Sequence, residues 1–306
     1  MSATDFRPAK PALSDGGALT LSALAAIFWG TNFEATRVAL EHLSPWTAAA
    51  GRFAIAAVAI LGWLWLSRGL DLRVLRRNWP AFLVLGIAGV AGFNAALFLG
   101  MKTSSPVTAA LIMGTTPLTT TILEAALHRR RPKGIALLGM GISLVGVALT
   151  VGAFSGTRFA TGDLLILAGS AGWALYTIGC RSWVREAAAI ETAAWTMVFG
   201  AIGLVAIAVA LENPVRDLMY AGPTAQLIVV YMALVGSVLS YIFWQVGIAV
   251  RGPGATSVLF NLVPVAALFV AAACGRMPSP SQVAGVVVAI LGVLLASGRL
   301  RLPRRG

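Results

Sequence analysis

Trp29, Asn32, Phe33, Thr36 and Arg37 fall at i, i+3, i+4, i+7 and i+8, so one face of a single helix would carry them all. Trp173, Tyr176, Thr177, Cys180 and Arg181 repeat that spacing, and Tyr241, Trp244 and Gln245 repeat it over one turn. Asn94 and Phe98 stand at positions matching Tyr241 and Gln245. Rings interleaved with amides offer no nucleophile and no general base. They can wall a cavity that takes a flat or apolar group and orients a few polar atoms. Ten residues are therefore candidates for binding: Trp29, Asn32, Phe33, Asn94, Phe98, Trp173, Tyr176, Tyr241, Trp244 and Gln245. The competing reading is aromatic packing between helices.

Charges are rare in these segments. Glu34 and Arg37 lie one helical turn apart, and Arg52 enters the next apolar run to a similar depth from the same side. A lone charge near the centre of a membrane helix costs about 2.5–3.5 kcal/mol on insertion scales, so these groups are expected to face protein or water. Glu34 paired with Arg52 or Arg37 would either fix helix packing, act as a gate, or meet a substrate's charge. Glu124 could pair with the arginines that follow it, and proton coupling through Glu34 or Glu124 is a further option. Pro117 and Pro264 are hinge candidates, since proline removes a backbone hydrogen bond inside a helix; a static kink is the alternative.

Catalysis finds no foothold. The chain has two histidines, His42 and His128, and two cysteines, Cys180 and Cys274, which fall in different runs. No metal-ligand cluster, Ser/His/Asp arrangement, phosphate loop or cofactor motif is present. Neither an enzyme nor a cofactor is expected.

The elements that carry these residues follow from composition. Apolar residues make up 58% of the 306, charged residues 11%, and mean hydropathy is +0.85; soluble domains carry about 25% charge. Ten apolar runs recur, at about 19–40, 45–67, 80–101, 105–127, 134–152, 162–183, 191–211, 224–249, 254–274 and 282–298. Most are roughly 18 to 24 residues long, enough to cross a bilayer core as helices. They are apolar all round and lack the alternation of barrel strands. An all-α integral membrane protein with ten transmembrane helices is expected.

The net charge of +12 is topological. With the N-terminus inside, 17 of the 23 basic residues fall in inside segments and four in outside loops (Lys102, Arg158, Arg216 and Arg276), with Arg37 and Arg52 inside spans. This bias places both termini in the cytoplasm of a plasma (inner) membrane protein. It also argues against a nucleic-acid partner. The polar start lacks signal-peptide features, so the first span is expected to remain as an anchor.

The chain repeats itself at offsets of 144 to 147. Trp29 matches Trp173, Arg37 matches Arg181, Pro106 and Pro117 match Pro253 and Pro264, and Gly139 and Gly146 match Gly285 and Gly292. Each half holds five spans, an odd number, so the halves must cross in opposite directions. Inverted repeats around a central midplane cavity are a hallmark of secondary transporters. The expected division is a polar cytoplasmic tail 1–17, a first five-helix repeat 18–152, a connecting loop 153–161, a second repeat 162–298 and a basic cytoplasmic tail 299–306.

The stretch AAIFWGTNFEATRVALEHLSPWTAAAGRFAIAAV, with its Trp-Gly pair, Pro-containing loop and Arg-Phe, resembles the start of EamA-type members of the drug/metabolite transporter superfamily. MKTSSPVTAALIMGTTPL, its counterpart from Arg251 to Pro264, and the Gly-rich fifth and tenth runs fit the same pattern. Within the superfamily the chain is most similar to YddG-type exporters of aromatic and other amino acids. The resemblance covers about residues 18 to 298 and implies ten helices, two inverted five-helix repeats and export of small metabolites. One departure is visible: Arg130 and Arg276 stand where the family often has a Glu, so that residue's role does not carry over. The expected function is export of aromatic and other neutral amino acids by alternating access, the chain able to act as a monomer in the lipid bilayer. The alternatives are export of aromatic cations or dyes and, further off, a membrane scaffold.

Overall fold

The computed structural model describes residues 14–127, 134–150 and 160–296. His128, Arg130, Arg158, most of the expected connecting loop 153–161, residues 1–13 of the first tail, the whole of the second and the side chain of Glu124 lie outside the described residues. Among those described there are helices and no strands. A helix lies on each of the ten apolar runs: α1 (Asp15–Leu40), α2 (Pro45–Arg68), α3 (Leu72–Gly100), α4 (Pro106–Leu127), α5 (Gly134–Thr150), α6 (Thr161–Ser182), α7 (Ala189–Leu211), α8 (Gly222–Arg251), α9 (Pro253–Ala273) and α10 (Pro280–Ala296). A short helix, Pro214–Tyr220, precedes α8. Seven of them, α2, α3, α4, α6, α7, α8 and α9, are long and apolar enough to cross a membrane. Their outward faces carry exposed apolar side chains such as Val58, Leu66, Leu227 and Phe269. A lipid surround tolerates such faces, and helices satisfy every backbone group internally.

Several starts are set by caps. Ser14 Oγ accepts from Gly17 N at 3.1 Å, so α1 begins at Asp15, before the apolar run. Asp71 Oδ1 accepts from Arg73 N at 2.8 Å and starts α3 at Leu72, eight residues ahead of the expected 80. That added stretch is amphipathic and was masked in the sequence by its arginines. Asn78 on it binds the loop after α6, donating to Arg185 O at 3.0 Å and accepting from Arg185 N at 2.9 Å.

Four helices depart from α geometry. α3 contains a π segment at Leu85–Gly92 and α8 one at Leu234–Leu239. α4 breaks at Thr115, two residues before Pro117, and α9 passes through a 3₁₀ turn at Val258–Asn261 before Pro264. Pro117 cannot donate to the Met113 carbonyl, which accepts instead from Thr116 Oγ1 at 2.5 Å. α5 and α10 pack antiparallel through small residues. A Cβ on Gly146 would lie 2.6 Å from Gly285 O, and one on Gly292 would lie 2.6 Å from Gly139 O. Close backbone approach of this kind is how helices bind one another in lipid.

Candidate functional site

Trp29, Asn32 and Phe33 on α1, Asn94 on α3, Trp173 on α6 and Tyr241 on α8 converge on one narrow cavity of about 30 Å³, room for a water or two. Thr36, Arg52, Phe93, Leu97, Met113 and Phe260 complete its lining. Thr36, Arg52, Leu97 and Met113 lie within about two turns of the end where α1 and α3 finish and α2 and α4 begin. The cavity therefore sits toward that end.

Its polar wall is built around Arg52, whose residue is 2% exposed. The π segment of α8 offers two acceptors: Arg52 Nε donates to Ser237 Oγ at 2.8 Å and Nη2 to Gly236 O at 2.9 Å. Such i→i+5 turns release backbone groups from the regular ladder and recur at functional sites. Ser237 Oγ donates its hydroxyl hydrogen bond to Met232 O at 3.2 Å, which leaves its lone pairs to the guanidinium. Arg52 Nη1 donates to Asn94 Oδ1 at 3.3 Å, and Asn94 is oriented by donating to Val90 O at 2.8 Å. Asn32, with its amide oxygen turned to the guanidinium, accepts from Nη1 at 3.0 Å and Nη2 at 3.1 Å. Its amide lies directly on Gly236, where a Cβ would collide with it. The five N–H donors of Arg52 thus all have acceptors, and every acceptor is neutral. Among the described residues no carboxylate pairs with Arg52. The hydrogen bonds are satisfied and the charge is not compensated.

The floor is aromatic. Trp29 stacks on Phe260 with centroids 5.2 Å apart and meets Trp173 edge-on at 5.2 Å and Trp244 at 5.1 Å. Trp173 stacks on Tyr176 at 4.8 Å and meets Tyr241 at 5.3 Å. Offset and edge contacts of this kind are each worth about 0.5–1.5 kcal/mol beyond area burial. Trp29 Nε1 donates to Gly236 O at 3.0 Å, which ties floor to wall through one carbonyl. The indole N–H groups of Trp173 and Trp244 are buried and find no acceptor among the described residues.

Four expected binding residues stand a layer back. Tyr176 and Trp244 support the floor, and Gln245 Nε2 donates to Tyr176 Oη at 2.7 Å and meets Cys180 Sγ at 3.1 Å. Phe98 is fully buried outside the lining. Phe98 and Gln245, matched by the repeat, share this displacement: the cavity faces the first turn after each π segment, which holds Asn94 and Tyr241. Sequence reading omitted Phe93, Leu97, Met113 and Phe260 from the site; the last two carried a signal. They are themselves a repeat pair, each four residues before Pro117 or Pro264, and that symmetry was the available signal.

Glu34 does not pair with Arg52. Its Oε1 accepts from Arg37 Nε at 2.7 Å, and its Oε2 pairs with Arg276 in the turn after α9. Arg37 also pairs with Glu41. This network bridges α1 and the α9–α10 turn beside the cavity end. At the opposite end Arg251 Nη1 meets Asp15 Oδ2 at 2.5 Å, and Arg181 Nη1 donates to Ala249 O at 3.0 Å.

Comparison with known proteins places the chain. The EamA-like transporter family matches residues 16–152 and again 160–298. The uncharacterized transporter YyaM of Bacillus subtilis is 37% identical over 284 residues, covering 91% of this chain and 93% of that protein. A probable terminal-alkyne amino-acid exporter of Streptantibioticus cattleyicolor is 25% identical, covering 90% and 92%. A probable amino-acid metabolite efflux pump of Salmonella typhimurium is 25% identical, covering 90% and 93%. One solved crystal structure superposes with a TM-score of 0.70 at 23% identity, covering 92% of this chain and 97% of that one, a likeness of fold. The chain belongs to the EamA-like transporter family, and is a multi-pass membrane protein.

Proposed function

We propose that this family member exports small metabolites, aromatic and other neutral amino acids foremost, across the plasma (inner) membrane. In this reading ten helices form two inverted five-helix repeats, 18–152 and 162–298, with both termini cytoplasmic. The halves rock about the cavity, hinged at Pro117 and Pro264. One observation carries the proposal: a cavity buried among helices from both halves, aromatic on one side and polar on the other. Rings suit an apolar or aromatic tail, and the polar wall suits a charged head. The ion network of Glu34, Arg37 and Arg276 would close one end, and the contacts of Asp15, Arg181 and Arg251 the other. The names of the two amino-acid exporting relatives point the same way.

The reading as an exporter of cationic dyes is weaker. Glu34 is engaged by two arginines, and none of the residues that line the cavity is a carboxylate. The test is efflux from proteoliposomes loaded with labelled phenylalanine, threonine and lysine, with and without an imposed pH gradient. Release of phenylalanine and threonine but not lysine is expected, and the gradient shows whether protons drive it. Retention of all three overturns the amino-acid assignment.

A further inference from the structure

Arg52 is an unusual group to find at the wall of a membrane cavity. It is buried, it touches the cavity, and its charge has no counterion among the described residues. Two of its acceptors, Ser237 Oγ and Gly236 O, lie outside the cavity lining, and a third, Asn94 Oδ1, lines the cavity but takes a single N–H at 3.3 Å. The fourth differs. Asn32 Oδ1 sits between Nη1 and Nη2, at 3.0 and 3.1 Å, where one edge of the guanidinium presents two parallel N–H groups. That edge is the fork which carboxylates fill with two oxygens, in a charge-assisted pair roughly twice as strong as a neutral one. Asn32 is a neutral stand-in, and it is itself a lining residue, so it can be displaced from the cavity side.

We propose that Arg52 is the docking point for a free carboxylate on the transported molecule, which replaces Asn32 Oδ1 on the guanidinium fork. The substrates are then small monocarboxylates with an apolar or aromatic tail, and an amino group, where one is present, is not required. This deepens the transport reading above and rests on it. The lining supplies no Asp or Glu for an ammonium group, whereas Phe93, Leu97, Met113, Trp173 and Phe260 give an uncharged tail its surroundings. The rival account makes Arg52 a structural cation that ties α2 to α8 and touches no substrate.

The experiment uses the full chain in proteoliposomes. Counterflow of labelled phenylalanine is measured against unlabelled 3-phenylpropionate, which keeps the carboxylate, and phenethylamine, which keeps only the amine. The expected result is competition by 3-phenylpropionate near the concentration at which phenylalanine itself competes. Phenethylamine should be weaker by roughly tenfold or more, the scale of a lost charge-assisted bond. Arg52→Gln should weaken 3-phenylpropionate by a similar factor, and Arg52→Lys should do so too, because an ammonium cannot fork. Asn32→Asp guards against a misfolded Arg52 variant: it puts an internal carboxylate on the fork, and should fold at least as stably as the parent while losing 3-phenylpropionate binding. Equal competition by the amine, or an Asn32→Asp variant that still binds 3-phenylpropionate as the parent does, overturns the anchor and leaves the transport reading standing. Movement of labelled 3-phenylpropionate without phenylalanine overturns the amino-acid reading and supports the anchor. Failure of both to move overturns both.

Discussion

The two sides of the cavity are held by opposite means. On the polar wall a single cation is fixed by four acceptors drawn from α1, α3 and α8, at distances from 2.8 to 3.3 Å. On the floor, rings from α1, α6, α8 and α9 hold one another by shape, with one hydrogen bond from Trp29 and two indole N–H groups that find no acceptor among the described residues. The wall is strict about geometry and tolerant of volume; the floor is the reverse. A molecule with a charged head and an apolar tail is matched by that division, because each side discriminates one part of it. Substitutions on the two sides should therefore fail differently.

The largest effect should come from the floor. Trp29→Ala with Trp173→Ala removes the two rings at the centre of the cluster, and single Trp→Ala changes in cores cost about 3–5 kcal/mol. The two side chains touch, so the pair will not add. Phenylalanine counterflow should be lost while threonine counterflow is retained in part, measured beside thermal unfolding in detergent. Equal loss of both substrates in a folded variant would break the division, since the floor would then not be reading the tail.

Ser237→Ala tests the wall with almost no change in volume. It leaves Arg52 Nε buried without an acceptor, a loss of about 1–3 kcal/mol. That cost should appear as a lower unfolding temperature, and any loss of substrate affinity should fall on phenylalanine and threonine alike, because both carry the same head group. A loss confined to phenylalanine would mean that wall and floor are not separate readers.

Glu34→Gln asks whether the ion network belongs to the wall. Arg37 and Arg276 remain partly exposed and can turn to water, so stability should change by no more than about 1 kcal/mol. The expected readout is a faster counterflow at an unchanged half-saturating concentration, as a tie between α1 and the α9–α10 turn is released. A large shift in half-saturating concentration would instead put Glu34 among the groups that meet substrate.

What could be read in advance follows the range of the interactions involved. The helices were legible because lipid-facing segments must be apolar all round, and the aromatic face of α1 was legible because the 3.6-residue period is local. The early start of α3 was hidden by Arg73, Arg76 and Arg77, which an amphipathic end tolerates. Arg52 could be recognised as costly but not placed, since its partners depend on a π turn that no local residue type announces. The second partner of Glu34 is 242 residues away. Arg276 could be seen as a departure from the family pattern, and the structure gives that departure a contact.

The smallest effect should come from a site outside both sides, which makes it the control. Ser44 precedes α2 without capping it through its own side chain; Glu212, at the end of α7, does so from across the bundle. Its Oε2 accepts from Thr47 N at 2.6 Å and Thr47 Oγ1 at 2.8 Å, and from Ser44 Oγ. A carboxylate at a helix N-terminus meets unpaired N–H groups and the positive end of the dipole, worth about 0.3–1 kcal/mol. Glu212→Gln keeps an acceptor and removes the charge, so the unfolding temperature should drop slightly. Because α2 carries Arg52, a shift of that helix would reach the wall. Unchanged competition by 3-phenylpropionate alongside the lower unfolding temperature would show that the wall's specificity resides in its acceptors rather than in how firmly α2 is pinned at its end.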